Sequence, residues 1–327
     1  MSDAPLLEVT DLSVRLRTPR GMRLAVDRVS FHVAAGEILG VAGESGSGKT
    51  LSALALLGVL PGGARTSGRV LLDGRDLLTL DKKALRGVRG RQISMVLQDP
   101  MTSLHPLLRI EVQMTEHVRA HLGLSADAAR ARALEMLAAV RIPDPAQALA
   151  AHPHQFSGGM RQRIAIAMAL ACEPRLLVAD EPTTALDVTV QAGILRLLDR
   201  LRRERGVSVL IITHDLGVLS SVSDRLCVMY GGRIVEQGIT REVLGHPRHP
   251  YTRGLMQALP GAGPAGVPMR PIPGSPPSLD SMPRGCAFHP RCDFARASCA
   301  TTSPALRSIG NERLLACDPD PFAASLQ

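Results

Sequence analysis

Tryptophan is absent from this chain of 327 residues, tyrosine occurs twice and phenylalanine five times. Ala, Leu and Val must therefore fill the core. Binding of single-stranded nucleic acid is disfavoured too, because bases stack on aromatic faces that are scarce here. Long apolar runs are also missing. The longest charge-free stretches are Thr50–Ala64, closed by Pro61 and two glycines, and the Gly/Pro-rich Gly254–Met269. A membrane-spanning helix needs about 20 mostly apolar residues, so none is expected. The N-terminus carries Asp3 and Glu8 and has no basic segment leading into an apolar one. No secretory leader is expected, and the compartment is read as the cytosol.

What is present bounds the answer further. Hydrophobic residues make up 45% of the chain, which excludes a fully disordered protein. The length allows one large α/β domain or two smaller ones. A net charge of +8 suits anionic partners such as nucleotides, acidic lipid headgroups or nucleic acid.

Strand-like alternation occupies Leu6–Val9, Leu12–Leu16, Arg28–Val33 and Ile38–Ala42. From Thr50 the pattern becomes helical, with Pro61 and Gly62 as its expected stop. Residues 99–171 read as mostly helical, Ser125 being a good N-cap for Ala126–Val140. Buried-strand patterns return at Arg175–Ala179 and Val207–Ile212, around an amphipathic helix at Val188–Arg205. Leu226–Tyr230 and Arg233–Glu236 flank Gly231-Gly232 as a hairpin. Residues 247–290 hold 11 prolines, which suits an irregular extension rather than a second core.

Gly43-Glu-Ser-Gly-Ser-Gly48-Lys49-Thr50, set between a strand and a helix, has the spacing of a complete phosphate loop. Gly43, Ser45, Gly46 and Gly48 lie where backbone N–H groups converge on phosphates. Lys49 reaches the β- and γ-phosphates, and the Thr50 hydroxyl is a ligand for Mg²⁺. The alternative, a plain glycine turn, does not account for Lys-Thr in register. Leu176-Leu-Val-Ala-Asp180-Glu181 ends an apolar strand in two carboxylates. Alone, such a pair is often only solvated charge. With a phosphate loop upstream, Asp180 is assigned to the Mg²⁺ shell and Glu181 to polarising the attacking water.

These motifs, with Ser157-Gly-Gly-Met-Arg-Gln-Arg163, resemble the ATPase subunit of ABC transporters over nearly the whole chain. The resemblance implies an α/β ABC-type P-loop NTPase. Its RecA-like core, with a β-rich N-terminal part, would comprise residues 1–98 and 172–245. A helical signature subdomain would occupy 99–171, and residues 246–327 an irregular C-terminal extension. Gln98 corresponds to the family's Q-loop and binds Mg²⁺, Leu186-Asp187 to its D-loop, and His214 to its switch histidine. Ser157 and Gly159 would complete the ATP site of an opposing subunit. The family places an aromatic against adenine where this chain has Leu16, so adenine falls to Leu16 or to the guanidinium of Arg15 or Arg17.

Three further stretches resemble the dipeptide/oligopeptide/nickel importer ATPases: Gln98-Asp-Pro-Met-Thr-Ser-Leu-His-Pro106, Pro153-His-Gln-Phe-Ser-Gly-Gly-Met-Arg-Gln-Arg163 and Glu181-Pro-Thr-Thr-Ala-Leu-Asp-Val-Thr-Val-Gln191. So do His249-Pro-Tyr-Thr-Arg-Gly254 and Gly285-Cys-Ala-Phe-His-Pro-Arg-Cys292. His105 departs from the more usual Asn. The resemblance implies a second ATPase chain of different sequence, two transmembrane permeases, an extracytoplasmic substrate-binding protein and a peripheral place on the cytoplasmic face of the inner membrane. No nucleic acid is implied. A DNA- or ribosome-directed ATPase is the competing reading. However, only 107 residues separate Lys49 from Ser157, with no sustained heptads and no second cassette. A binding module with dead chemistry is disfavoured by the presence of both Glu181 and His214.

Cys286, Cys292, Cys299 and Cys317 crowd into the last 42 residues, spaced C-x₅-C-x₆-C-x₁₇-C. In a reducing compartment such a cluster favours metal over disulfides. Zinc sites usually include one pair two to four residues apart, and none exists here. A [4Fe–4S] cluster is therefore preferred, as the importer resemblance also implies, with Zn²⁺ or four unconnected thiols as the alternatives.

Overall fold

N-terminal alternation becomes two long antiparallel strands, β1 (Leu7–Thr18) and β2 (Gly21–Val33). They are followed by β3 (Ile38–Ala42), α1 (Lys49–Leu57), β4 (Arg65–Leu72), the short β5 (Arg75–Asp76), α2 (Lys82–Val88) and β6 (Ile93–Val96). Next come α3 (Ile110–Leu122), α4 (Ala126–Ala139), α5 (Pro145–Ala150), α6 (Gly158–Leu170), β7 (Leu176–Asp180) and α7 (Val188–Arg205). The alternation closes with β8 (Ser208–Thr213), α8 (Leu216–Val222), β9 (Arg225–Tyr230) and β10 (Arg233–Ile239). After α9 (Thr240–Gly245) and α10 (Pro250–Gln257) the described chain is largely irregular, apart from β11 (Arg307–Ser308) and β12 (Leu314–Leu315). This computed structural model describes residues 4–99, 103–184, 186–259, 270–310 and 312–323. Residues 100–102 of the Gln98–Pro106 stretch, Ala185 and the Pro/Gly run at 260–269 lie outside them.

Contacts divide the chain into two compact units. One comprises Met1–Val33, Leu39–Leu78 and Thr213–Gln327. In it β1 pairs antiparallel with β2 and β4, and β3 lies parallel to β9 from Leu39↔Arg225 to Ala42↔Val228. β10 pairs with β9 and also with β12, through Glu236↔Leu315 and Gln237↔Leu314. The irregular tail is thus joined to the strands by a short ladder, and Phe288, Leu315 and Phe322 are buried.

The other unit comprises Ala34–Ile38 and Thr79–Ile212. Here β6, β7 and β8 run parallel, and every residue of β7 and β8 is buried. Continuous apolar runs are what strands covered on both faces require. The helices α3 to α6 pack with one another, burying Ile110, Met114, Ala133, Met136, Leu137 and Ile164. Small Ala and flexible Met do the filling that aromatics do elsewhere.

Two sequence expectations shift. Leu6–Val9 and Leu12–Leu16 are one strand, interrupted by a register shift between Val9 and Leu12 where Asp11 takes φ 49°. α1 stops at Leu57 rather than at Pro61, because Gly58 adopts a left-handed conformation (φ 62°) and its N–H bonds to Ala55 O at 3.0 Å. A glycine at this position ends a helix without the Cβ penalty. Ser125 caps α4 as expected, its Oγ accepting from Ala128 N at 3.2 Å.

Candidate functional site: phosphate loop, carboxylate strand and thiol cavity

The phosphate loop hangs between the buried strand β3 and α1, in the first unit. Gly43, Gly46 and Gly48 have φ of 152°, 78° and 100°, conformations that aim successive N–H groups to one side. Gly43 has no room for a side chain. A Cβ there would stand 2.3 Å from Met229 O and 2.7 Å from Ser47 Oγ. Lys49 is buried, and its ammonium donates to Gly43 O (2.7 Å) and Glu44 O (3.0 Å), so it is held over the loop. Ser45, Gly46 and Thr50 are exposed. Three left-handed glycines, the exposed Gly46 among them, a seated ammonium and an exposed hydroxyl fit a nucleotide polyphosphate with its Mg²⁺.

Two other expected site residues belong to this unit. Leu16 is half-buried on β1 opposite Arg23, with Arg15 and Arg17 exposed beside it. His214 is exposed one residue beyond β8. Its neighbour Asp215 caps α8, accepting from Gly217 N (2.8 Å) and Val218 N (3.2 Å).

The second unit holds the carboxylates. Asp180 ends β7, and Glu181 follows it; both are buried. Glu181 takes φ 50° and donates its N–H to Ile212 O at 2.7 Å. A non-glycine residue in this region stores strain of about 1–3 kcal/mol, which is typical of functional positions. The hydroxyl of Thr184 donates to Glu181 Oε2 at 2.7 Å, so Thr184 fixes the carboxylate. Sequence reading did not single it out. Gln98 is exposed, two residues beyond β6.

Ser157 caps α6 and Asp187 caps α7, accepting from Met160 N and Val190 N respectively. Gly159 has a local role as well. A Cβ there would lie 2.5 Å from Val190 Cγ1, so the start of α6 can approach α7 only through glycine.

The third assembly is the tail, again in the first unit. Cys286, Cys292, Cys299 and Cys317 line one cavity of about 320 Å³, with His249, Phe288 and His289, and all four are free thiols. Burial and the neighbouring cysteines push the Cys317 thiol up to about 12. Burial likewise raises Cys286 and Cys292. Cys286, Cys292 and Cys317 therefore resist ionisation, which a cationic centre would reverse. Among the described residues, no three His, Cys, Asp or Glu side chains close around a single ion.

His249 at the cavity's edge carries a pH prediction. Its Nδ1 accepts from Tyr251 N at 3.1 Å. Complete burial pushes its pKa down to about 3, against weaker opposing effects from Ala316 O and Asp320. The unfolded chain takes up this proton near pH 6.5. Stability is therefore fully present above about pH 6.5 and declines as pH falls toward 3. At pH 5 the loss is about 2 kcal/mol. Urea midpoints measured between pH 5 and 7.5 should show this acid limb, and His249→Gln should flatten it. An unchanged limb in that variant would assign the pH dependence elsewhere.

Residues 26–184 match the family described as ABC transporter, and residues 235–299 the family described as oligopeptide/dipeptide transporter, C-terminal region. The oligopeptide transport ATP-binding protein OppD of Salmonella typhimurium is 48% identical, with 95% of this chain and 93% of that protein aligned. The dipeptide transport ATP-binding protein DppD of Bacillus subtilis is 47% identical, over 91% of this chain and 90% of its own. Among solved structures, cbiO1 of Clostridium perfringens, part of the ABC transporter complex cbiONQ, superposes with a TM-score of 0.64 at 27% identity. It covers 75% of this chain and 92% of its own. A dimeric bacterial ABC transporter cassette gives 0.63 at 29% identity, covering 72% and 99%.

Proposed function

We propose, from the premise that this chain belongs to the ABC transporter family and to its oligopeptide/dipeptide ATP-binding branch, that it hydrolyses ATP to power import of peptides through a membrane transporter. The observation that carries the peptide reading is the joining, in one chain, of a phosphate loop to a tail matching the oligopeptide/dipeptide region at 235–299.

On this reading residues 1–98 and 172–245 act as the ATPase core, 99–171 as the signature subdomain and 246–327 as an added module. Gly43, Ser45, Gly46, Gly48 and Lys49 hold the phosphates, and Leu16 covers the adenine. Thr50, Gln98 and Asp180 hold Mg²⁺, which when bound neutralises charge developing on the transferred phosphoryl group. Glu181, oriented by Thr184, aligns the attacking water, while His214 and Gln98 serve the γ-phosphate. Ser157 and Gly159 face the phosphate loop of a second, different ATPase subunit. No helix among the described residues is long and apolar enough to cross a membrane, so transport needs partners. Those proposed are two permeases and an extracytoplasmic binding protein, with this chain on the cytoplasmic face of the inner membrane. Purification of the tagged chain from its native membrane should bring down these partners, with peptide-stimulated ATPase activity. Recovery of the chain without permeases would count against the reading.

The four tail thiols are proposed to hold a [4Fe–4S] cluster with a structural role. Protein purified without oxygen should be brown, with about four irons per chain. Stoichiometric zinc in colourless protein would replace this assignment with a zinc site; neither metal would remove it.

A further inference from the structure

Glu44 is the one acidic residue of the phosphate loop, and all three of its polar groups are occupied. Its carbonyl holds Lys49 Nζ (3.0 Å) and accepts from Ser47 N (3.2 Å), within the loop. Its N–H donates to the hydroxyl of Tyr251 at 2.8 Å. Its carboxylate takes a two-pronged ion pair from Arg291, Nη1 to Oε2 at 2.7 Å and Nη2 to Oε1 at 3.0 Å. Two of these three holds come from beyond residue 250.

Arg291 is built for this contact. It is 8% exposed. Its Nε donates to Pro273 O (2.8 Å) and Nη1 also donates to Tyr230 Oη (3.2 Å). The rings of Tyr230, Tyr251 and Phe288 pack mutually at 4.6–5.3 Å, and the guanidinium lies 5.8 Å from the first of them. A chain with two tyrosines spends both here. Such a fork fixes a carboxylate in direction as well as in charge.

We propose that Arg291 is a positioning residue for the phosphate loop, neutralising and orienting Glu44 so that ATP affinity depends on the docked C-terminal tail. The electrostatic reason is direct: a bare carboxylate inside a phosphate-binding loop repels the polyanion that the loop must bind. The mechanical reason is that Glu44 also carries the carbonyl that seats Lys49. Arg291 precedes Cys292, whose thiol lines the tail cavity. Disturbing the thiol cavity therefore acts on the loop through one residue.

The inference rests on the ATP-binding role proposed above, and equilibrium binding of Mg·ATP to the full-length chain separates the two. If the wild-type chain does not bind ATP, that role fails. Where wild type binds, Arg291→Gln should bind about ten-fold more weakly, the loss expected for a charge-assisted pair. Adding Glu44→Gln should restore affinity to within about three-fold of wild type, because the repelling charge is gone. In the assembled transporter the single variant should raise KM for ATP and leave kcat unchanged. Thermal unfolding of each variant guards against misfolding. Glu44→Gln alone is the reference for the double variant and should bind ATP as that variant does, since no carboxylate is left for Arg291 to neutralise. Equal affinity of wild type and Arg291→Gln, or a double variant no tighter than Arg291→Gln, would overturn the inference.

Discussion

Replacing Glu181 by glutamine is expected to leave Mg·ATP binding within about two-fold of normal and to lower turnover by about 10²- to 10⁴-fold, the range lost with a general base. Glutamine keeps the length of the side chain and can still meet the Thr184 hydroxyl. The backbone bond from Glu181 N to Ile212 O is untouched. What disappears is the negative charge that orients and polarises water, an interaction that matters in the transition state and not in the bound ground state. The loss should therefore fall on kcat. Thr184→Val should lower kcat by a smaller factor, about ten-fold or less, since it removes one hydrogen bond to the carboxylate and keeps the carboxylate itself. Turnover close to wild type for Glu181→Gln, measured with the permeases present, would remove Glu181 from the role assigned to it.

The parts of the site that were legible are those in which chemistry and chain order coincide. A phosphate loop is one unbroken stretch, and its glycines must occupy left-handed backbone, as Gly43, Gly46 and Gly48 do. Asp180 ends β7, where an apolar run had to become charged. The helix Val188–Arg205 could be read to the residue because Asp187 caps its start and Gly206 its end. Less legible were contacts between distant segments. The Glu44–Arg291 pair spans 247 residues, and nothing local in Gly43–Thr50 announces that its carboxylate is neutralised. A signal was nonetheless present in the composition. Five of the seven aromatics lie between Tyr230 and Phe322, a concentration that marks a packed contact rather than a loose tail. Leu16 shows the opposite limit. The structure places it half-buried on β1, and adenine contact there remains a proposal drawn from resemblance. Gly159 has a structural demand on it apart from the role proposed for it. Its lack of a side chain is already required by Val190 of the same chain, so substituting it would disturb α6 before it tested any partner. Ser157→Ala likewise removes the side-chain cap of α6, so either substitution needs a folding control before it probes the proposed opposing subunit.

Loss of the Arg313 cation is expected to destabilise the tail's attachment by about 3–5 kcal/mol, the cost of leaving one partner of a buried ion pair uncompensated. Glu236, on β10, has no exposed surface. Its carboxylate is held by Arg313 Nη2 at Oε1, by Arg248 N at 2.9 Å and by His249 N at 2.9 Å. Arg313 is itself 7% exposed and donates also to His246 O. In Arg313→Met the aliphatic stem that packs beside Gly238 is largely kept, so the change isolates the charge. Two backbone N–H groups then face a fully desolvated carboxylate alone. The strand pairing Glu236↔Leu315 and Gln237↔Leu314 is what ties the segment before Cys317 to β10, so the fault lies at the root of the tail. Limited proteolysis should cut the variant within residues 300–323 under conditions that spare wild type, and the midpoint of urea denaturation should fall. Glu236→Gln added to Arg313→Met should recover part of the loss, because an amide costs far less to bury than a charge. A loss below about 1 kcal/mol in the single variant, the size of an exposed pair, would mean that the carboxylate does not depend on Arg313.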